Sequence, residues 1–293
     1  MTTSSLKLTD KTDRCIPAGS PLVLGAGGWN IFHHFGVLMA MREHNIEVGD
    51  VLGVSAGSMT AAFLTNGYQP EDMIPIFLAM RKERDNMASI MEGLTISDPI
   101  SMAVGGVFSI KPFVTKLIDR YGLKPNNRLR ILACDYLTRE PVVFQGKDID
   151  LALALTASGS PPSVFKPEWY MDGGRPRLLV DGAYYHYNPT EFFDRPAIVS
   201  KFRPATQMGK EFKYPIDIWF SFREIFFPVA GNSRHVDESR NLVIETGLPD
   251  VAGLNFGISE ATCMRMVENG YNTANEVIAR AKAEGRLCAS VGA

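Results

Sequence analysis

Short apolar runs alternate along the chain with longer segments whose apolar residues recur at helical spacing. Residues 21–25 form such a run and predict a buried strand, and residues 30–44 predict a helix. A second strand is predicted over residues 48–54, with another helix directly after it. Strand, helix and strand form a βαβ unit, in which the strands are parallel and the crossover is almost always right-handed.

The same alternation continues to the end of the chain. Further strands are predicted at residues 128–135, 142–144, 177–180, 216–222 and 242–246, and further helices at 69–84, 111–121, 148–157 and 259–286. Gly270 is a point at which the last helix could break. The first 20 residues are polar and predict a flexible arm, so we predict one α/β domain over residues 21–293.

Residues 86–109 are rich in methionine and small apolar residues, with poor periodicity. One interpretation is a mobile cap over an acyl-binding cleft, with methionine as an adaptable lining and Phe108 as a substrate contact. The other interpretation is ordinary core and loop. The sequence leaves both open.

Composition narrows the classes of function. The chain has 293 residues, 45% of them hydrophobic, and a formal net charge of −2. No basic field attracts nucleic acid. The four cysteines are scattered without metal-binding or CxxC spacing, which predicts reduced thiols. No signal-peptide core and no membrane-spanning run occur, so we expect a cytoplasmic protein, with export without a cleaved signal left open.

A glycine–serine motif ends the second predicted strand. Gly53, Ser55 and Gly57 match the G-x-S-x-G nucleophile elbow, in which a tight strand-to-helix turn presents the serine hydroxyl. The first strand ends in the glycine-rich turn 25–28, and parallel strands bring both turns to the same sheet edge. Backbone N–H groups of such a turn can stabilise an oxyanion. A dinucleotide fingerprint is the alternative, but Asn30 stands where its third glycine belongs.

A serine nucleophile needs a base within hydrogen-bond reach. His186 and His235 follow Ser55 in the chain order that G-x-S-x-G hydrolases use. Asp181 is the other candidate, because it ends a predicted strand and could also lie at the carboxyl edge of the sheet. The adjacent pair His33 and His34 faces two directions of a helix and cannot form a joint metal site.

Four ordered blocks together resemble the patatin-like phospholipase family. They are LVLGAGG at 22–28, GVSAG at 53–57, ASGSPPSVFKP at 157–167, and VDGA at 180–183 with Asn188-Pro189 beyond it. The resemblance implies a three-layer α/β/α fold with a central, mostly parallel sheet. It also implies a Ser55–Asp181 dyad without a catalytic histidine, an oxyanion loop formed by Gly25, Ala26, Gly27 and Gly28, and no metal or cofactor.

The likeness has departures. Ala26, Asn30 and Ile31 replace a glycine, a basic residue and a glycine of the family loop. Loss of the cation is expected to weaken binding of an anionic head group. Trp29 and Asn30 are candidate substrate contacts, with Trp29 either packed under the site or lining the cleft.

The resemblance implies a serine lipid acyl hydrolase of the phospholipase A or lysophospholipase type. Its partner would be membrane or micellar lipid, contacted peripherally, and no nucleic acid. The alternatives are a soluble carboxylesterase, thioesterase or acyltransferase, or a catalytically silent lipid-binding protein.

Overall fold

A computed structural model describes residues 15–82, 109–162, 165–186, 188–203, 236–251 and 258–288. Its strands are β1 Ser20–Leu24, β2 Val48–Val54, β3 Leu129–Asp135, β4 Pro141–Gln145, β5 Glu168–Asp172, β6 Arg175–Asp181, β7 Ile198–Phe202 and β8 Leu242–Thr246. Its helices are α1 Ile31–Glu43, α2 Ala56–Thr65, α3 Pro70–Lys82, α4 Lys111–Tyr121, α5 Leu151–Ser158 and α6 Glu260–Ala283, with single 3-10 turns at Gly28–Asn30 and Gly182–Tyr184.

All eight strands belong to one sheet. Its order is β5-β6-β3-β2-β1-β7-β8, with β4 paired to β3 off this path. Strands β3, β2, β1, β7 and β8, which are neighbours in this order, pair in parallel. Strands β4 and β6 pair antiparallel with β3, and β5 pairs antiparallel with β6. The predicted α/β fold with a mostly parallel central sheet is therefore confirmed.

Alternate residues of the strands supply two separate cores. Leu22 and Leu24 of β1 belong to the larger cluster, into which the helices pack, and Val23 belongs to a smaller cluster on the other face. Phe193 packs into that smaller cluster from the segment before β7. This division follows from the period of two in a strand, which sends successive side chains to opposite faces.

Several predicted elements differ from the observed ones. Helix α6 continues through Gly270 without a break. The glycine serves close packing of α6 on α1, since a Cβ there would collide with the His33 carbonyl. Strands β5 and β7 were not predicted. The strand predicted at 216–222 and most of the segment 86–109 lie outside the described residues. Among the helices that the structure describes, none is long and apolar enough to cross a membrane.

The two ends of the described chain meet. Ile16 is buried and forms a parallel bridge with Leu287, and Cys15 and Cys288 form a disulfide. The prediction that all cysteines are reduced is therefore wrong for this pair. Within residues 15–20, Ile16 and Ser20 are buried, whereas Pro17 and Ala18 are exposed. Spacing in the sequence could not reveal the pair, because its members are 273 residues apart.

Candidate active site

Strands β2 and β6 meet end to end on the same edge of β3. Leu132 of β3 pairs with Val54, the last residue of β2, and the next residue of β3, Ala133, pairs with Asp181, the last residue of β6. Both strands lie on the edge opposite β4, because β4 occupies the other side of β3 at these positions. Neighbouring positions on a strand are about 3.3 Å apart, so the residue after Val54 and Asp181 lie at adjoining positions along β3.

Ser55 is that residue, and its backbone makes the sharp turn expected of an elbow. Its φ of 54° and ψ of −123° are unusual for a residue with a side chain. A Cβ at Gly53 would collide with the first turn of α2, and one at Gly57 would collide with the Leu24 carbonyl at the end of β1. Both glycines are therefore required by close backbone packing.

Asp181 is held rigidly beside this elbow. The residue is only 5% exposed, and its Oδ1 accepts the Ala183 N–H at 2.8 Å. Gly182 lets the chain leave β6 directly against β3, because a Cβ there would lie 2.6 Å from the Leu132 carbonyl oxygen. Asp181 was expected at this edge because it ends a predicted strand. It lies there because β6, which is antiparallel to β3, stops level with the end of β2.

The segment after α5 connects the elbow to the aspartate. The Ser158 hydroxyl accepts the Ser55 N–H at 2.9 Å, and the Ser160 carbonyl accepts the Asp181 N–H at 2.9 Å. Ser158 and Ser160 are fully buried, and the Ser160 hydroxyl donates to the Thr156 carbonyl at 2.7 Å. Two residues of one short segment thus fix the backbones of Ser55 and Asp181 relative to each other.

The glycine-rich turn after β1 lies next to the start of α2. Its first member differs from the expected role, because the Gly25 N–H donates to the Ser200 carbonyl at 2.9 Å and continues the pairing with β7. Within the described part of the chain, the N–H groups of Ala26, Gly27 and Gly28 form no hydrogen bond. Ala26 does not have the positive φ that its side chain would disfavour, whereas Gly28 does, at 54°.

A buried histidine holds this turn in place. The His34 ring lies 3.0 Å from the Gly25 carbonyl through Nε2 and 2.7 Å from the Ser200 hydroxyl through Nδ1. A carbonyl only accepts hydrogen bonds, so Nε2 carries the proton and Nδ1 accepts from Ser200. Burial lowers the pKa of His34 to about 4, which keeps the ring neutral at neutral pH.

Comparison with known proteins identifies the family of the chain. The family model for patatin-like phospholipase matches residues 22–194, more than half of the chain. The chain belongs to this family. Residues of this patatin-like chain are also 35% identical over 74 positions to the lysophospholipase NTE1 of Saccharomyces cerevisiae, and 34% identical over 74 positions to that of Candida glabrata. These stretches span 25% of this chain but only 4% of each yeast protein.

A solved structure shares the fold. VipD from Legionella pneumophila superimposes with a TM-score of 0.50 at 15% identity, covering 91% of this chain and 68% of VipD. At this identity the likeness concerns the patatin-like fold.

The remaining candidates occupy varied positions around the patatin-like site. Trp29 packs partly into the larger core and stacks near Phe32 at 6.4 Å between ring centroids, which favours packing under the site. Asn30 is partly exposed in the 3-10 turn after the glycines. His186 contacts Glu191 at 3.1 Å through Nδ1. Phe108 and His235 lie outside the described residues.

Sequence reasoning did not find three supporting residues. Ser158 lies within a quoted block, but nothing in its spacing indicates a bond to Ser55. His34 was considered only as half of a metal pair. Ser200 belongs to an unpredicted strand, 166 residues from His34. Each acts through a contact distant in sequence, which only the folded chain reveals.

Proposed function

We propose that this chain hydrolyses fatty-acyl esters of lipids, with Ser55 as the nucleophile and Asp181 as its base. The convergence of β2 and β6 carries the proposal, because it brings a serine in a strained turn next to a buried carboxylate. Family membership supports lipid as the substrate class. Phospholipids and lysophospholipids are the substrates we expect, met at a membrane or micelle surface.

The reaction follows from these positions. Asp181 accepts the proton of the Ser55 hydroxyl as its oxygen attacks the ester carbonyl. The carbonyl oxygen becomes an oxyanion, which the N–H groups of Ala26, Gly27 and Gly28 stabilise together with the N-terminus of α2. When the intermediate collapses, the leaving alcohol takes the proton from Asp181. Water then attacks the acyl-serine, with Asp181 again accepting a proton. Asp181 returns this proton to the Ser55 oxygen as the bond to the acyl group breaks and the fatty acid leaves.

This scheme assigns Gly25 a different task from its neighbours. Its N–H is bonded to Ser200 and its carbonyl accepts from His34, so it anchors the loop rather than binding the oxyanion. The fixed anchor places the following three N–H groups before substrate arrives. Such preorganisation is the source of oxyanion stabilisation, worth about 3 kcal/mol per donor in a serine hydrolase.

The test is fatty-acid release from mixed phospholipid vesicles by wild type, Ser55→Ala and Asp181→Asn. We expect both variants to lose activity by at least about a thousandfold while keeping their melting temperature, since removal of a triad residue has effects of this size. His186→Ala is the matched control and should retain activity.

An active Asp181→Asn would refute the dyad, and loss of activity in His186→Ala or His235→Ala would identify a histidine base instead. Labelling of Ser55 by a fluorophosphonate, without lipid hydrolysis, would favour a soluble esterase, thioesterase or acyltransferase. A folded wild type that neither labels nor hydrolyses would indicate a lipid-binding protein.

A further inference from the structure

An arginine outside the proposed catalytic groups faces the same edge of the sheet. Arg139 lies in the turn between β3 and β4, beyond the end of β3 where Asp181 pairs. It is exposed, and it has a φ of 65°, a left-handed conformation that residues with side chains seldom adopt. Strained backbone of this kind concentrates at functional sites.

The Arg139 guanidinium is positioned by an aromatic ring. It lies over Tyr185, 5.5 Å from the ring centroid, an arrangement in which cation and ring attract each other. Tyr185 follows Asp181 by only four residues. Tyr184 lies between Asp181 and Tyr185 in the sequence and stacks with Tyr136 at 6.0 Å between ring centroids. The segment that follows the proposed base therefore extends to the residue that contacts the arginine.

Neighbouring carboxylates bind other arginines. Arg177 contacts Glu140 at 2.9 Å and Asp172 at 2.9 Å, and Arg175 lies 3.6 Å from Glu140. Within the described residues, Arg139 has no ion pair of its own. Its planar donors therefore remain available for an incoming anion.

Tyr185 adds a neutral donor to this cation. Burial raises the pKa of Tyr185, with Tyr184 contributing and the positive charge of Arg139 opposing, so the hydroxyl keeps its proton at neutral pH. A guanidinium combined with a hydroxyl donor suits a phosphate group, which guanidinium binds through paired hydrogen bonds.

We propose that Arg139, with Tyr185, binds the phosphate of a glycerophospholipid head group while its acyl ester lies at Ser55. This inference rests on the proposed lipid hydrolysis. It assigns a cation to the substrate site although Asn30 occupies the loop position where a basic residue was expected. Arg139 is then a specificity residue rather than part of the chemistry.

The experiment compares two esters with the same acyl chain, lysophosphatidic acid and monoacylglycerol. We expect Arg139→Gln to reduce the ratio of their kcat/KM values, phosphorylated over neutral, by about tenfold or more, through KM rather than kcat. Arg175→Gln is the matched control, since it removes a nearby exposed arginine that does not contact Tyr185. An unchanged ratio in Arg139→Gln, or an equal loss in Arg175→Gln, would overturn the proposal.

A second variant separates binding from backbone effects. Arg139→Gly removes the guanidinium and also relieves the positive φ, so its melting temperature should equal or exceed that of wild type. It should nevertheless lose the preference for the phosphorylated ester as Arg139→Gln does. Retained preference in this variant would show that the arginine has only a structural role.

Two further measurements complete the test. Inorganic phosphate should compete with lysophosphatidic acid in wild type if the site accepts free phosphate. It should not compete if the site requires the whole lipid. In both cases the proposal holds only if Arg139→Gln weakens binding of the phosphate compound that wild type binds. Should wild type hydrolyse neither ester, binding of lysophosphatidic acid to Ser55→Ala and to Ser55→Ala/Arg139→Gln still decides the role of Arg139. Equal affinity of those two proteins would refute it.

Discussion

The hydrogen bond from the Ser55 N–H to the Ser158 hydroxyl gives a sharp prediction about the elbow. Ser158 is fully buried, so Ser158→Ala leaves the partly buried Ser55 N–H without its acceptor. An unsatisfied buried donor costs about 1–3 kcal/mol. For a domain of this size each kcal/mol lowers the melting temperature by about 2–4 °C. We therefore expect a decrease of about 2–12 °C.

The same change should affect catalysis beyond its effect on stability. Ser55 has a backbone conformation that costs about 1–3 kcal/mol and persists only while its surroundings enforce it. Without the Ser158 tether the elbow can relax, and a displacement of 1 Å can cost about a hundredfold in rate. At assay temperatures well below the melting temperature, we expect kcat to fall at least tenfold, with KM much less affected.

The assay combines thermal unfolding with steady-state hydrolysis of a monoacylglycerol. Ser58→Ala is the control, because the Ser58 hydroxyl donates to the Ser55 carbonyl at 2.6 Å, and that carbonyl also accepts the Ser58 N–H at 2.9 Å. Its loss leaves the acceptor satisfied and should have a smaller effect. A Ser158→Ala protein with the wild-type melting temperature and kcat would refute this reasoning.

Two other predictions concern the groups that hold the glycine-rich turn. The pKa of His34 is about 4 in the folded chain and 6.5 ordinarily, so the unfolded chain binds the proton at a higher pH than the folded chain does. The free energy of unfolding should therefore fall by about 3 kcal/mol from this residue as the pH drops from 6.5 to 4. Urea unfolding at pH 7 and pH 4.5 should show a smaller loss for His34→Gln than for wild type, and an identical loss would contradict the assignment. Gly57→Ala should destabilise the fold and abolish hydrolysis, since its methyl group would collide with the Leu24 carbonyl. Gly67→Ala, at the other end of α2 and facing open space at a φ of 91°, should cost only about 1 kcal/mol and keep activity; equal damage from both would refute the steric argument.

The part of the site that is local in sequence could be predicted. The glycines at 53 and 57 indicate a close turn. In the structure, α2 leaves no room for a side chain at position 53, and the Leu24 carbonyl leaves none at position 57. Strands β2 and β8 and helix α4 have the predicted bounds, because each has a clear apolar pattern with flanking turn residues. The direction of β6 could not be predicted, since no pattern in the sequence distinguishes a parallel strand from an antiparallel one that ends at the same level.

The parts that depend on distant contacts could not be predicted. Strand β5 has no buried residue, and its three apolar residues, 169–171, are too few between flanking carboxylates to show a periodic pattern. The anchoring of Gly25 requires that β7 lie beside β1, which the order of elements does not specify. The disulfide depends likewise on the meeting of two distant segments.

The position of β7 next to β1 has a consequence for biosynthesis. Residues 22–194 include Ser55 and Asp181, but Ser200 and helix α6, on which α1 packs through Gly36 and Gly270, emerge from the ribosome later. A nascent chain that already contains both proposed catalytic residues still lacks the Ser200 and α6 contacts that hold the glycine-rich turn and α1. If the proposed site is correct, hydrolysis would therefore require that α6 has also been synthesised.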